Sequence, residues 1–130
     1  RNMSSDIILP SLKIKKMSKT SIVKVIKNKN DEILYLSRKD VPYNFGKKKY
    51  HLYKHLSIIS FKPNALKKYS SSKKTYLEKL ENIELLRALE IGLKIKTLNL
   101  KGDSFSVDIK EDYVQALKKL PKDKIFKKYR

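Results

Sequence analysis

The 130 residues carry 32 Lys or Arg against 13 Asp or Glu, a formal net charge of +19, with 40% hydrophobic residues. Cysteine is absent, which excludes a disulfide framework, a thiol nucleophile and a zinc site built on thiolates. No apolar run approaches the ~18 residues of a membrane span, and the three glycines form neither a G-x-G-x-x-G cluster nor a P-loop.

Residues 1–19 read as an extended basic arm, with Pro10 and few apolar anchors. The opening Arg1 in place of methionine reads as a trimmed sequence or as the loss of a leading segment, for which an excised organellar targeting peptide is one explanation. Ile22–Ile26 is β-branched and strand-like, Asn28–Asp31 is a turn signal, and Ile33–Leu36 reads as the partner strand of a hairpin. Asp40-Val41-Pro42 ends it, because proline cannot donate to a ladder. Residues 49–56 are expected as a short helix and 57–61 as a short strand, and Lys62-Pro63-Asn64 can open a helical turn. Thr75 followed by Glu78 has the spacing of a capping box, and Leu77, Leu80, Ile83, Leu86 and Leu89 recur at helical spacing. The expectation is one helix over 75–91, stopped at Gly92. Leu93, Ile95 and Thr97 begin a strand, Lys101-Gly102-Asp103 is a turn, and Phe105, Val107 and Ile109 alternate as a return strand over 104–109. Tyr113, Val114, Leu117 and Leu120 share a helical face that Pro121 ends.

These elements predict an α+β chain: a small antiparallel, hairpin-based N-terminal domain over 20–74, a connecting helix over 75–92, and a β-hairpin plus helix over 93–130 with a basic tail. The charge follows the same division. Residues 1–76 carry a net +15, residues 77–117 a net −2 and residues 118–130 a net +6. A cationic front and tail around a neutral middle point to a polyanionic partner, most often nucleic acid.

Lys47-Lys48-Lys49-Tyr50-His51-Leu52-Tyr53-Lys54-His55 is the candidate interface. Lysines neutralise phosphates and release counterions, while tyrosine and histidine offer flat faces to unstacked bases. With Lys39, Lys67 and Lys68 added, the expected RNA-binding set is Lys39, Lys47, Lys48, Lys49, Tyr50, His51, Tyr53, Lys54, Lys67 and Lys68. The plainer alternative makes Leu52, Tyr53 and Leu56 core residues with a solvated lysine face. His51 and His55 would share a face of a helix at metal-binding spacing, but the lysines around them repel a cation. Asp103, Asp108, Glu111 and Asp112 offer paired carboxylates, more simply read as acids opposing the dipole at a helix start. No catalytic or metal residues are assigned.

Lys39-Asp40-Val41-Pro42-Tyr43-Asn44-Phe45-Gly46-Lys47-Lys48 after a short apolar strand resembles the K-D-V-x-x-L-G-K-K-G opening of the bacterial-type large-subunit ribosomal protein L nine family. Tyr50–Ile59 is similar to that family's N-Y-L-I-P-K-G-L-A-V stretch, and Lys62–Tyr69 to its P-E-N-L-K-K segment. Leu89-Glu90-Ile91-Gly92-Leu93 looks like a turn in mitochondrial members. The resemblance implies a structural, non-enzymatic constituent of the mitochondrial large ribosomal subunit. Its partners would be large-subunit rRNA and neighbouring ribosomal proteins, with no cofactor, membrane or small-molecule substrate. The rivals are a non-ribosomal organellar nucleic-acid-binding protein and a protein-interaction module with a solubilising basic surface.

Overall fold

The computed structural model describes residues 5–14, 20–46, 50–102, 104 and 106–128. One mixed sheet holds six strands: β1 (Ile7–Ile14), β2 (Lys24–Lys27), β3 (Ile33–Ser37), β4 (Leu52–His55), β5 (Ser60–Phe61) and β6 (Ile95–Leu100). The helices are α1 (Pro63–Ser70), α2 (Tyr76–Glu81), α3 (Leu85–Glu90), α4 (Lys110–Lys119) and α5 (Lys124–Lys128), with a 3₁₀ turn at Leu120–Lys122.

β1 is the spine of the sheet. One of its edges pairs antiparallel with β5 through Ile7↔Phe61 and Ile8↔Ser60, and further along with β4 from Ser11↔His55 to Ile14↔Leu52. Its other edge pairs parallel with β6 from Ile7↔Ile95 to Leu12↔Leu100. The stretch read from the sequence as an extended arm therefore contains the central strand. Pro10 is tolerated there for a local reason. Its carbonyl accepts the Leu56 N–H at 2.9 Å, so the N–H it lacks would face the same edge, at the gap where β4 has ended and β5 has not begun.

The β2–β3 hairpin lies where β-branched residues predict it. Asn28 makes the turn: its Oδ1 accepts the N–H groups of Asn30 at 2.9 Å and Glu32 at 3.0 Å, and Asp31 takes a φ of 61°. The hairpin pairs with β4 at Lys24↔Lys54. The sheet then curls until its ends meet, with the Thr97 N–H donating to Asp31 O at 2.8 Å and Glu32 bridging Lys96.

Alternation along the strands puts Ile7, Leu9, Val23, Val25, Leu36 and Ile95 on the inner face. They form one core with Ala65 of α1, with Leu85, Leu86 and Ala88 of α3, and with Ile83 and Leu93. The inner face turns polar toward one end. There the Thr97 hydroxyl donates to Ser11 Oγ at 2.7 Å, Ser11 to Asn99 Oδ1 at 3.3 Å, and Lys27 Nζ to Asn99 Oδ1 at 2.8 Å and Asp31 Oδ1 at 2.6 Å. The Lys27 bond holds the Asp31 carboxyl below its usual range, against the opposing effect of burial.

Three expected elements take another form. Residues 52–55, expected in a helix, are strand β4, because pairing with both β1 and β2 overrides local propensity. The single helix over 75–91 is two helices, broken at Asn82 with a φ of 52°. The end carbonyls of α2, Glu81 O and Asn82 O, are taken by the Arg38 guanidinium, so the helix need not continue to satisfy them. Residues 104 and 106–109 form no strand, and Asp103 and Phe105 lie outside the described residues.

Candidate functional site

The break at Asn82 opens a cleft of about 360 Å³ between the helices and the margin of the sheet. Ser21, Val23, Leu36 and Arg38 line it from the hairpin, His55, Ile59 and Phe61 from β4, β5 and their link, and Tyr69 from α1. Asn82, Ile83, Glu84 and Leu85 close the helix side. An apolar floor with a few convergent polar groups is the usual composition of a small-molecule site.

Arg38 sits one residue past β3, and its guanidinium ties three segments together. Nε donates to Glu81 O at 2.8 Å, Nη2 to Asn82 O at 2.9 Å and Nη1 to Thr20 O at 3.2 Å. Glu81 returns the contact: its carboxylate accepts the Ser37 hydroxyl at 2.9 Å and the Arg38 backbone N–H at 3.1 Å. These described bonds use three of five guanidinium N–H donors and leave one on each terminal nitrogen. Beneath the margin, the buried Lys24 ammonium donates to Arg38 O and lies 3.6 Å from Asp40 Oδ1.

His55 faces the same cleft. Its Nδ1 lies 3.2 Å from Leu56 O, and a carbonyl only accepts, so Nδ1 carries the proton and Nε2 is left as an acceptor in the neutral ring. Burial pushes its pKa below the ordinary 6.5, and the Arg38 charge acts in the same direction; the Leu56 carbonyl and Glu84 act against them. The folded state thus binds fewer protons at this site than the unfolded chain. The stability loss begins as pH falls through about 6.5 and is complete once the lower folded value is passed. The urea midpoint is expected to fall between pH 7 and 5, and His55→Gln to flatten that slope; an unchanged slope in the variant rejects the assignment.

The remaining wall is Tyr69. Its ring centroid is 5.3 Å from that of Phe61 and 4.2 Å from the Arg87 guanidinium carbon. Its hydroxyl accepts from Arg87 Nη2 at 2.8 Å and lies 3.2 Å from Glu84 O, to which it donates. Arg87 also donates to Ser72 O at 3.0 Å, and its Nε lies 3.1 Å from Glu78 Oε2, close enough for an ion pair though not aligned as a hydrogen bond. The Thr75 N–H donates to the same Glu78 oxygen at 3.3 Å, as the capping-box spacing predicts.

The residues expected to contact RNA do not converge on this cleft. Lys47, Lys48 and Lys49 lie outside the described residues. Lys39, Tyr50 and His51 are exposed, and Lys67 and Lys68 project from the last turn of α1. Tyr53 is in β4, with the Lys27 ammonium 4.3 Å from its ring centroid, and Lys54 Nζ donates to Ser104 O. His51 precedes β4 and His55 ends it, so an extended chain separates them by about 13 Å, too far to share an ion. Among the described residues no three His, Asp or Glu side chains gather as metal ligands. Glu111 and Asp112 occupy the first turn of α4, and Asp112 Oδ2 accepts the Asp108 N–H at 3.4 Å.

Arg38, Tyr69, Asn82 and Glu84 were not legible as a site. One signal was available. With 28 of 32 basic residues lysine, an internal arginine marks a place where a point charge does not suffice. Arg38 and Arg87 both serve as multi-pronged forks.

Residues 6–95 match the family described as cytidylyltransferase. The chain is 38% identical over 120 residues to the 3-deoxy-manno-octulosonate cytidylyltransferase of Rickettsia prowazekii, covering 91% of this chain and 47% of the relative. It is 33% identical over 127 residues to the enzyme of that name from Fusobacterium nucleatum, covering 94% and 52%. A solved CMP:2-keto-3-deoxy-manno-octonic acid synthetase complexed with CTP superposes with a TM-score of 0.78 at 26% identity, over 90% of this chain and 50% of that one. The chain spans about half the length of the curated relatives it matches.

These likenesses overturn the ribosomal resemblance and what it implied: a non-enzymatic constituent of the large subunit, bound to rRNA and ribosomal proteins, with no small-molecule substrate. The lysine surplus accounts for the resemblance. In so basic a chain, short K-D-V and G-K-K matches arise from composition, and Lys39-Asp40 owes its place to the end of β3 beside Lys24.

Proposed function

The chain belongs to the cytidylyltransferase family, and from that premise we propose that it supplies the acceptor-sugar site of a CMP-sugar synthetase, taking an acidic sugar of the 3-deoxy-ulosonate kind. In such a transfer a sugar hydroxyl attacks the α-phosphorus of CTP. A phosphorus–oxygen bond forms as the bond to the bridging oxygen breaks, pyrophosphate leaves, and the hydroxyl proton passes to water. Much of the protein's share in such a step is holding the reactants in line.

One observation carries the proposal: an arginine with N–H donors to spare and a neutral histidine acceptor stand in one cleft over apolar Ile59, Phe61 and Leu85. The spare guanidinium donors suit a carboxylate, and His55 Nε2 suits a sugar hydroxyl. Glu84 supplies a second acceptor for a sugar hydroxyl. Arg38 is fixed through three carbonyls before the ligand arrives, which lowers the ordering cost of binding.

Calorimetric titration of the chain with 3-deoxy-manno-octulosonate tests this. Binding is expected, and the amide of the same sugar should bind about 10–100-fold more weakly, the value of a charge-assisted hydrogen bond. His55→Phe, which leaves the Arg38 clamp in place, should also weaken binding. Equal affinity for acid and amide, or no binding of either, rejects the proposal.

A further inference from the structure

We propose that Lys24 is the positioning residue of the acceptor site: its buried ammonium holds the Arg38 main chain so that the spare guanidinium donors meet the carboxylate of the sugar acid. The inference rests on the acceptor-site reading above and names the residue on which its charge recognition depends. Lys24 is 1% exposed, and its side chain is the largest of the fully buried ones among the described residues. An ammonium seldom goes so deep, because it gives up its hydration. A well-packed apolar side chain of similar size often serves stability as well or better. Stability alone therefore does not call for a lysine here.

The end of the ladder supplies a reason. The pairing of β2 with β3 reaches Lys24↔Ser37, where β3 ends, so Arg38 is the first residue past the last rung. Side chains hold its backbone instead. The Arg38 N–H donates to Glu81 Oε2 at 3.1 Å, and its carbonyl accepts from Lys24 Nζ, which also lies 3.6 Å from Asp40 Oδ1. A carboxylate on the N–H and an ammonium on the C=O are charge-assisted bonds to the peptide units on both sides of the Arg38 Cα. Together they set the direction in which the Arg38 side chain leaves the margin of the sheet.

The same rung serves the opposite wall. Lys24 also pairs with Lys54 of β4, and the next residue, His55, donates its N–H to Val23 O at 3.1 Å. Because β2 lies between β3 and β4, Arg38 and His55 stand one residue past the Lys24 rung on either side of Val23, and all three line the cleft. The spacing between the donors for the acid and the acceptor for a hydroxyl is thus fixed at Lys24. A shift of about 1 Å there is costly in a site that works by holding its ligand in place.

The test titrates the parent chain and Lys24→Met with 3-deoxy-manno-octulosonate and with its amide by calorimetry, and follows hydrogen exchange at the Arg38 Nε–H by NMR. Lys24→Met with Asp40→Asn is the second variant, which removes both charges so that no carboxylate is stranded. In both variants the acid should lose about tenfold in affinity and the amide less than about threefold. The Arg38 Nε–H, which donates to Glu81 O, should exchange at least about tenfold faster. A purely structural role would weaken acid and amide alike, and that result overturns the proposal. So does loss of the fold in both variants, seen by circular dichroism, because Lys24 then serves the whole sheet. Loss of the acid preference with Arg38 Nε–H exchange unchanged overturns it too, since Lys24 then acts by its charge and not through Arg38. A parent chain that binds acid and amide equally removes the acceptor-site reading, and this role with it. A parent that prefers the acid, beside variants that keep the preference, removes this role alone.

Discussion

Replacing Arg87 by leucine is expected to lower the unfolding free energy by about 3–5 kcal/mol, the cost of stranding a buried charge. Glu78 is 4% exposed, and Arg87 is the cation beside it. One Glu78 oxygen already has no hydrogen-bond partner, so the loss cannot be absorbed locally. Arg87 also supports the Tyr69 ring from beneath and binds Ser72 O, so the variant loosens the join between α1 and α2. Urea unfolding followed by circular dichroism measures the effect. Arg87→Lys should recover only part of it, since an ammonium cannot reach the carboxylate, the Tyr69 hydroxyl and the Ser72 carbonyl together. Adding Glu78→Gln to Arg87→Leu should also recover part, because it removes the orphaned charge. A loss below about 1 kcal/mol in Arg87→Leu would mean that Glu78 finds solvent and that the pair does not hold the helices.

The second large effect is at Leu86. It is fully buried on α3, the helix that packs against β3 and carries the largest share of the helical contribution to the core. Leu86→Ala should cost about 2–5 kcal/mol, the upper end applying if the surrounding side chains cannot collapse into the space. Collapse is restricted here, because Leu9 and Ile95 are held at fixed register in the sheet beneath. Ile95→Val, which removes a single methylene from the same core, should cost about 0.5–1.5 kcal/mol. Equal losses for the two variants would show that the core relaxes around α3.

The local elements were legible where one physical cause dominates. The β-branched run before Asn28 and the apolar run after Asp31 specify the hairpin, and Pro63 opens α1 at its first turn. Non-local pairing was not legible. Leu52–His55 is a strand because β1 and β2 both need a partner there, and Ile7–Ile14 is central because strands distant in sequence flank it. Asn82 was hidden inside an apolar rhythm that continues undisturbed across the break. What ends α2 is a guanidinium 44 residues away. The cleft was obscured for the same reason: Arg38, His55, Tyr69 and Glu84 come from four separate elements, and no spacing in the chain joins them. Net charge points instead to lysines such as Lys39, Lys67 and Lys68, which lie on the surface and not in the cleft.

The parallel pairing of β1 with β6 joins residues 88 positions apart, as in Ser11 and Asn99. During translation at ~5–20 residues per second, the first strand therefore waits roughly 4–18 s for its neighbour. Through that interval Ile7 and Leu9 belong to a polypeptide with one edge unfinished, open to pairing with another nascent copy. Chains that stop short of residue 95 should therefore precipitate during synthesis rather than accumulate as smaller folded products.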